Sequence, residues 1–358
     1  MNKLAVIALT TKGLKLGDEL YQKSKGQVDR LTIKKTSAGG WDSEQVSLSE
    51  LVQNSFHKYA GLILIMAAGI AVRIIGPLST SKITDPAVVV MDEGGNFAVS
   101  LLSGHLGGAN QLASEIAALI GCQAVITTGT DVNHLTAVDT LAQSWNMNIE
   151  PVENIKIFNK ALLEGKHYHF WTDYEYDSPA NMLFKKITEY DYNHDLNVFV
   201  THKILSISAE KENVLFLRPK DLALGIGCKK GLPFTKLWPA FLDFFQKNRL
   251  STGSVAKIAT ICIKGQEESI RKLADAFHIQ VNLYSREQLD NCFQKYKNLT
   301  TSEFVHSIVG VPGVCEPAAL LAGGNDELLV KKTVYEGVTF AVAGLKDYAI
   351  KKSFCWFK

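Results

Sequence analysis

The order of apolar and polar positions over the first 135 residues predicts an open α/β sheet. Short apolar runs typical of buried strands occur at 3–9, 28–33, 61–66, 87–91 and 97–102. Amphipathic patterns typical of helices lie between or after them, near 12–24, 49–59 and 109–119. The turn composition of Asp92-Glu93-Gly94-Gly95-Asn96 predicts that two of the strands form a β-hairpin. We therefore expect a Rossmann-like open sheet, mostly parallel with one antiparallel pair, and helices on both faces.

The same patterns predict two further domains. A chain of 358 residues is too long for one ordinary core. Between 137 and 218 aromatic residues are dense and glycine nearly vanishes, which predicts a small α+β middle domain. From 219 to 346 strand and helix patterns alternate again and predict a second α/β domain, which ends in a hairpin of 328–332 and 338–343. The N-terminal domain then covers 1–136, and residues 347–358 form a tail.

Composition is typical of a soluble globular protein. The chain is 46% hydrophobic and 21% charged, with a formal net charge of +2. A nearly neutral chain has no bulk attraction to nucleic acid or to an anionic membrane. The apolar run at 4–9 is too short for a signal peptide or a membrane span, and the six cysteines lack CxxC spacing. We expect a cytoplasmic protein with reduced thiols, no metal site, and no nucleic-acid or membrane partner.

The stretch 98–133 carries the strongest signal for function. An apolar run ends in Ser103-Gly104-His105-Leu106-Gly107-Gly108-Ala109-Asn110, a helix pattern follows, and a second apolar run ends in Thr127-Thr128-Gly129-Thr130-Asp131. Such a strand–loop–helix–strand unit leaves backbone N–H groups pointing into a crevice at a helix N-terminus. His105 adds a group that titrates near neutral pH. A histidine of the protein core is the alternative, but a position between glycines at a strand end favours a functional one.

Four other features leave structure and function as open alternatives. Asp85 precedes a proline and is either a turn former or a catalytic group. Arg73 either extends to solvent or binds a carboxylate, and Glu316 either complements a helix dipole or contacts a ligand. The segment 225–231 is interpreted as a glycine-rich loop that forms a tight turn or contacts an anion. It matches neither the dinucleotide fingerprint nor the phosphate loop, which disfavours a nucleotide-binding enzyme.

Several of these motifs together resemble one family. In the N-terminal part they are Ala68-Gly69-Ile70-Ala71-Val72-Arg73, Thr84-Asp85-Pro86, the glycine-rich run 103–110 and Val125-Ile126-Thr127-Thr128. In the C-terminal part they are Leu224-Gly225-Ile226-Gly227-Cys228, Cys315-Glu316-Pro317-Ala318-Ala319-Leu320 and the run 338–343. With these motifs the chain resembles, over nearly its whole length, the CbiG family of cobalt-precorrin-5A hydrolases in the oxygen-independent route to cobalamin.

The resemblance implies a hydrolase that acts on a cobalt-corrinoid. Water would open the δ-lactone of cobalt-precorrin-5A, acetaldehyde would leave, and cobalt-precorrin-5B would remain. It implies no cofactor, because the substrate itself carries the cobalt. A non-catalytic corrinoid-binding or carrier protein of the same pathway is the alternative. A homodimer, and transient contacts with neighbouring pathway enzymes, are left open.

This chemistry gives a set of candidate site residues. Lactone hydrolysis requires a general base and hydrogen-bond donors for the tetrahedral oxyanion. His105 is the expected base, with Asp85 as the next candidate, and the hydroxyl of Ser103 or the N–H groups of two loop glycines are the expected donors. The residues expected to bind the carboxylate-edged substrate are Gly69, Arg73, Gly104, Gly107, Gly108, Asn110, Thr127, Thr128, Gly225, Gly227, Cys228 and Glu316.

Overall fold

A computed structural model of the chain describes residues 3–33, 40–43, 46–81, 84–133, 135–174, 184–187, 196–207, 212–346 and 348. These residues fall into two compact units. The first holds the described residues within 1–145 and 155–167, and the second those within 146–154 and 168–351. The domain boundaries expected from the sequence stay predictions. None of the helices formed by the described residues is long and apolar enough to cross a membrane.

The first unit is built on a seven-stranded sheet. Its strands are β1 Leu4–Ala8, β2 Val28–Thr32, β3 Asp42–Ser43, β4 Gly61–Ile65, β5 Ala87–Met91, β6 Phe97–Leu102 and β7 Gln123–Val125. Its helices are α1 Thr11–Lys23, α2 Leu48–Phe56, α3 Ala68–Ile75, α4 Ala109–Ile120, α5 Gly129–Val132, α6 Val138–Ser144 and α7 Ile155–Leu163. The strand order is β3-β2-β1-β4-β5-β6-β7, with β5 and β6 antiparallel and the other described pairs parallel.

Helices cover both faces of this sheet. Val6 of β1 belongs to a core that includes residues of α1 and α4, whereas the next residue, Ile7, belongs to a core with residues of α2 and α3. Every residue of β1 is buried, as a strand covered on both faces requires. The predicted α/β class, with helices on both faces and one antiparallel hairpin, is therefore confirmed.

The reversal of β6 decides which loops lie together. Leu102, at the end of β6, pairs with Val88 near the start of β5, while β6 and β7 run parallel. The carboxyl ends of β6 and β7 therefore meet at the sheet edge where β4 and β5 begin. The loop after β6 leads into α4, which starts beyond Gly108 and buries Leu112 and Ile116 against the sheet.

The second unit contains two five-stranded sheets. The strands of the middle sheet are β8 Met147–Glu150, β9 His169–Thr172, β10 Phe184–Lys186, β11 Asn197–Val200 and β12 Val214–Pro219, in the order β10-β9-β11-β12-β8. The strands of the third sheet are β13 Leu222–Cys228, β14 Val255–Ile261, β15 Val281–Tyr284, β16 Leu328–Tyr335 and β17 Val338–Gly344, in the order β15-β14-β13-β17-β16. The helices are α8 Phe234–Lys247, α9 Glu268–Ala276, α10 Arg286–Lys295, α11 Glu303–Val309 and α12 Cys315–Gly323.

The aromatic stretch of the sequence supplies the core of the middle sheet. Trp171 and Phe199 are fully buried with ring centroids 6.3 Å apart, and both pack with Val214 and Phe216. Burial of large rings is the main stabilising term available to a sheet of short strands. The strand patterns near 168–172, 198–201 and 214–217 are confirmed, whereas β8 and β10 had no pattern that predicted them.

The interpretation of 225–231 as a loop is wrong in its first half. The strand β13 continues to Cys228, so Gly225 and Gly227 are strand residues. The physical reason is close packing, because a Cβ at Gly225 would overlap the carbonyl oxygen of Cys315 at the start of α12. The spacing of these glycines therefore allows a helix to lie against the strand backbone. The predicted hairpin of β16 and β17 is confirmed.

Replacing Gly225 with alanine is expected to lower the free energy of unfolding by about 2 kcal/mol or more, because the added methyl group has no space. Its Cβ would also lie 2.7 Å from the backbone nitrogen of Ala319. Gly344→Ala in β17 is the matched control, since a Cβ there meets ordinary contacts of 3.6 Å or longer. Urea unfolding of both full-length variants tests this. Equal midpoints for the two variants would contradict the packing argument.

Candidate active site around His105

His105 lies between two aspartates at the meeting carboxyl ends of β6 and β7. Its Nε2 is 2.7 Å from Oδ2 of Asp131, and its Nδ1 is 3.1 Å from Oδ2 of Asp139. Asp131 lies in α5, just after β7, and Asp139 lies in the first turn of α6. The histidine side chain is 13% exposed. Both ring nitrogens thus face a carboxylate in a largely buried setting.

The two carboxylates keep His105 protonated. Burial alone lowers the pKa of the imidazole, but hydrogen bonds and charge from Asp139 and Asp131 outweigh burial and raise this pKa to about 9. For Asp139 burial raises the pKa of the carboxyl, while His105 and the amide of Asn159 lower it by more. At neutral pH the resting centre is therefore an imidazolium that donates both N–H groups.

Asp131 is the more accessible of the two partners. Its side chain is 33% exposed, compared with 8% for Asp139. Its Oδ2 accepts hydrogen bonds from the amide of Asn110 at 3.0 Å and from the hydroxyl of Thr128 as well as facing His105. Three donors on one oxygen fix that oxygen in place, so the exposed part of the carboxylate is held in a defined direction.

Asn110 connects this centre to the sheet. Its Nδ2 donates to the hydroxyl of Thr128 at 2.9 Å and its Oδ1 accepts from the hydroxyl of Ser100 in β6 at 2.7 Å. The hydroxyl of Thr130 lies 3.3 Å from Nε2 of His105. A partly buried network of this kind holds each member in one rotamer, which preorganises the charged groups.

The glycines of the loop allow its backbone to fold compactly, because a side chain at these positions would have no space. A Cβ at Gly104 would lie 2.7 Å from Oδ1 of Asn110, and one at Gly107 would lie 2.9 Å from the carbonyl oxygen of Ser103. The N–H of Gly108 donates to the carbonyl of His105 at 2.9 Å. In this structure that N–H is used within the loop and does not point to a free anion site. The oxyanion role expected for Gly107 and Gly108 stays a prediction.

Ser103 adopts a strained conformation at the start of this loop. Its φ of 56° lies in the left-handed region, which is uncommon for residues other than glycine. Its Oγ is buried and, among the described residues, has no hydrogen-bond partner. An orphaned hydroxyl next to a charged centre is a candidate hydrogen-bond donor, so its predicted role stays open to test.

Comparison with known proteins shows the family of this chain. Three family models match the chain, described as "Cobalamin synthesis G N-terminal" at 50–131, "Cobalamin biosynthesis central region" at 136–219 and "Cobalamin synthesis G C-terminus" at 222–343. A cobalt-precorrin-5A hydrolase of Priestia megaterium is 32% identical over 95% of this chain and 94% of its own length. This chain belongs to the CbiG family. A protein of the same description from Salmonella typhimurium is 30% identical over 95% of this chain and 97% of its own.

A solved structure described as a cobalamin biosynthesis protein G homologue, from Sulfolobus solfataricus, also resembles this CbiG-family chain. The two are 23% identical, and the match covers 96% of this chain and 98% of that one, with a TM-score of 0.41.

The structure does not bring Gly69 of this CbiG chain to the centre around His105. Gly69 is the second residue of α3, which follows the carboxyl end of β4, whereas the loop of His105 lies where β4 begins. A five-residue strand separates the two edges by roughly 17 Å. Arg73, one turn further along α3, is exposed. This agrees with the alternative in which the arginine extends to solvent.

Asp85 occupies a structural position in its own loop. It is buried, and its carboxylate accepts from the hydroxyl of Ser79 at 2.7 Å and from the N–H groups of Thr80 and Ser81. Burial raises the pKa of Asp85, but these hydrogen bonds lower it by more, so the carboxylate stays charged. These contacts agree with the alternative in which Asp85 forms a turn. A proton-accepting role for Asp85 would compete with these hydrogen bonds.

The candidate residues of the second unit have mixed surroundings. Glu316 is 2% exposed. Its carboxylate accepts hydrogen bonds from the N–H and hydroxyl of Thr300 and from the N–H of Lys332. It therefore connects the loop that contains Thr300 to strand β16. Cys228 is half-buried, and burial raises the pKa of its thiol to about 11. In the first unit, Thr127 is exposed beside Thr128 at the end of β7.

Three side chains of the centre around His105 were missing from the residues expected from the sequence: Asp131, Asp139 and Asn159. A signal for Asp131 existed, because it closes a hydroxyl-rich stretch after β7, the parallel neighbour of β6. Asp139 and Asn159 belong to α6 and α7, and nothing in their local sequence marks them. In the part of the chain that the structure describes, no group of three or more His, Cys, Asp or Glu side chains is arranged to hold a metal ion.

Proposed function

We propose that this CbiG-family chain is a cobalt-precorrin-5A hydrolase. The observation that carries the proposal is the imidazolium of His105 held between Asp131 and Asp139. Relatives that bear this name match nearly the whole chain. Ester hydrolysis requires a proton donor and a proton acceptor, and here a charged acid lies beside a partly exposed carboxylate.

Water opens the lactone in the first step. The carboxylate of Asp131 accepts a proton as the water oxygen adds to the lactone carbonyl carbon. The carbon–oxygen bond of the ring then breaks, and the departing alkoxide takes a proton from the imidazolium of His105. The product of this step is a corrinoid with a free carboxyl group and a free hydroxyl group. His105 is therefore an acid here, whereas the sequence favoured a base.

Acetaldehyde leaves in the second step. His105, now neutral, accepts the proton of the new hydroxyl group. The carbon–oxygen bond becomes the carbonyl of acetaldehyde, the carbon–carbon bond to the macrocycle breaks, and its electron pair passes to the conjugated ring. The base role expected for His105 belongs to this step. Asp139, buried and held by Asn159, keeps the ring oriented through both steps.

Cobalt enters this proposal only as part of the substrate, and no separate redox cofactor takes part. The steps need only water and proton transfers, which the side chains around His105 can supply.

The direct test is an anaerobic incubation of the purified protein with cobalt-precorrin-5A. We expect one acetaldehyde per corrinoid, measured with a coupled aldehyde assay, and a shift of the corrinoid spectrum. Binding of the corrinoid without release of acetaldehyde would instead indicate a carrier protein and overturn the proposal.

A further inference from the structure

The loop that carries His105 has an unfavourable backbone conformation at its start. Ser103 has a φ of 56°, in the left-handed region, and Gly108 at the other end of the loop has a φ of 85°. A left-handed conformation at a residue other than glycine costs free energy and persists where surrounding contacts enforce it. The bond from the N–H of Gly108 to the carbonyl of His105, at 2.9 Å, lies within the loop itself. The position of the histidine ring therefore also depends on contacts that reach the loop from other elements.

Gln143 of α6 makes such a contact. The nitrogen and oxygen of a side-chain amide have nearly the same shape, so their partners decide its orientation. In the orientation that gives each atom a partner, the amide nitrogen of Gln143 donates to the carbonyl oxygen of His105 at 3.0 Å. Its amide oxygen accepts from the N–H of Gly108 at 3.2 Å. The amide therefore bridges the two backbone groups that bond each other within the loop.

The same side of α6 also holds the ring of His105. Asp139 lies one turn before Gln143, and residues one turn apart are neighbours on a helix surface. Its carboxylate faces Nδ1 of His105 at 3.1 Å and accepts from the amide of Asn159 in α7, also at 3.1 Å. The helix is anchored by three buried apolar residues, Val138, Leu141 and Ala142. One rigid helix thus presents a carboxylate to the ring of His105 and an amide to its backbone.

These contacts come from a different part of the sequence than His105 itself. His105 and Asp131 lie in the part matched by the N-terminal family model, 50–131, whereas α6 and α7 lie in the part matched by the central-region model, 136–219. Both helices nevertheless pack in the first compact unit. The central region therefore supplies side chains to the centre around His105.

We propose that Gln143 is a positioning residue for His105. With Asp139 it forms a two-point clamp, through which α6 holds the ring and the backbone of His105 in one arrangement with a carboxylate at each ring nitrogen. Without the amide of Gln143 the strained start of the loop relaxes, and the ring moves away from Asp139 and Asp131. Gln143 acts through His105. The effect on turnover rests on the proposed function, whereas the effect on the ring does not.

Titration of the His105 ring in Gln143→Met tests the inference, because methionine is similar in size but lacks both hydrogen-bonding groups. Full-length proteins labelled with ¹⁵N at histidine are followed by NMR between pH 6 and pH 10, and His105→Asn identifies the signals of His105. The charged groups that face this ring are Asp131 of α5 and Asp139 of α6, which raise its pKa to about 9. We expect the titration midpoint of the variant to lie at least about one pH unit lower, because a nearby opposite charge contributes about 1–3 units and both contacts lengthen.

Turnover of cobalt-precorrin-5A is measured on the same proteins. Gln143→Met should lower kcat about 10- to 100-fold and change KM little, since a small misplacement of a catalytic group has an effect of this size. Gln143→Ala gives the same test with a smaller side chain and should shift the midpoint in the same direction. Gln53→Met, at an exposed glutamine of α2 in the same unit, is the matched control and should change neither midpoint nor turnover.

The two measurements separate this inference from the proposed function. An unchanged midpoint of His105 in the Gln143 variants, or a lowered midpoint with unchanged kcat, would overturn the inference. A lowered midpoint in these variants, together with no turnover by the unmodified protein, would support the clamp and contradict the hydrolase proposal alone.

Discussion

Replacing His105 with asparagine is expected to slow acetaldehyde release at least about 100-fold, because loss of a general acid or base typically costs about 10²–10⁴ in rate. Asparagine is similar in size and keeps one hydrogen-bond donor, but it cannot carry the proton. The affinity for the corrinoid should change little, whereas the melting temperature should fall, because the ion pairs of His105 with Asp131 and Asp139 are lost. Turnover is therefore compared per folded molecule. The measurement is single-turnover acetaldehyde release by the two proteins under anaerobic conditions.

His57→Asn is the matched control for this variant. His57 is an exposed histidine at the end of α2, in the same unit, so its loss tests the general effect of the substitution. Nearly normal turnover by His105→Asn would exclude His105 as the proton-transferring group. A large drop in melting temperature with turnover per folded molecule unchanged would assign the residue a structural role.

Replacing Asp139 with asparagine is expected to move the alkaline limb of the pH–rate profile. Lactone opening requires protonated His105, whose pKa is raised to about 9, so the rate of the unmodified protein should fall only as the pH rises through about 9. Asp139→Asn removes one of the two carboxylates that raise this pKa. The limb should then shift to lower pH by roughly one to three units. Glu19→Gln, which removes an exposed carboxylate paired with Lys23, is the control.

The raised pKa of His105 also makes the free energy of unfolding depend on pH. The pKa of His105 is higher in the folded protein than its ordinary value of 6.5. Its contribution to stability is therefore fully present below about pH 6.5 and is lost as the pH rises through about 9. Urea unfolding between pH 6 and pH 10 should show this loss in the unmodified protein and a smaller loss in Asp139→Asn. Identical pH dependence in the two proteins would contradict the assigned coupling.

The fold followed from the sequence where local pattern and packing agree. The helix α4 and the hairpin of β5 and β6 were predicted within a residue because glycines and turn residues mark their ends. The failure at Gly225 has a physical cause: glycines spaced by two occur both in loops and in strands that touch a helix backbone. Only the position of Cys315 in α12 distinguishes these cases, and that contact joins residues 90 positions apart (315 − 225).

The site was predictable to the extent that it lies in one continuous motif. His105 and Asn110 could be selected because they lie in the glycine-rich loop, whereas Asp139, a partner of His105, comes from a separate helix. The protonation state was not predictable either, since it depends on two carboxylates that the fold brings to opposite sides of one ring. An expected base therefore became an acid in the proposed first step.

Isotope labelling tests the central claim, hydrolysis of the lactone, most directly. Cobalt-precorrin-5A is incubated with the protein in H₂¹⁸O under anaerobic conditions, and the corrinoid product is analysed by mass spectrometry. Opening of the lactone by water predicts one ¹⁸O atom in the newly formed carboxyl group of the corrinoid, together with one acetaldehyde released. A corrinoid product that forms with release of acetaldehyde but contains only ¹⁶O would contradict the account.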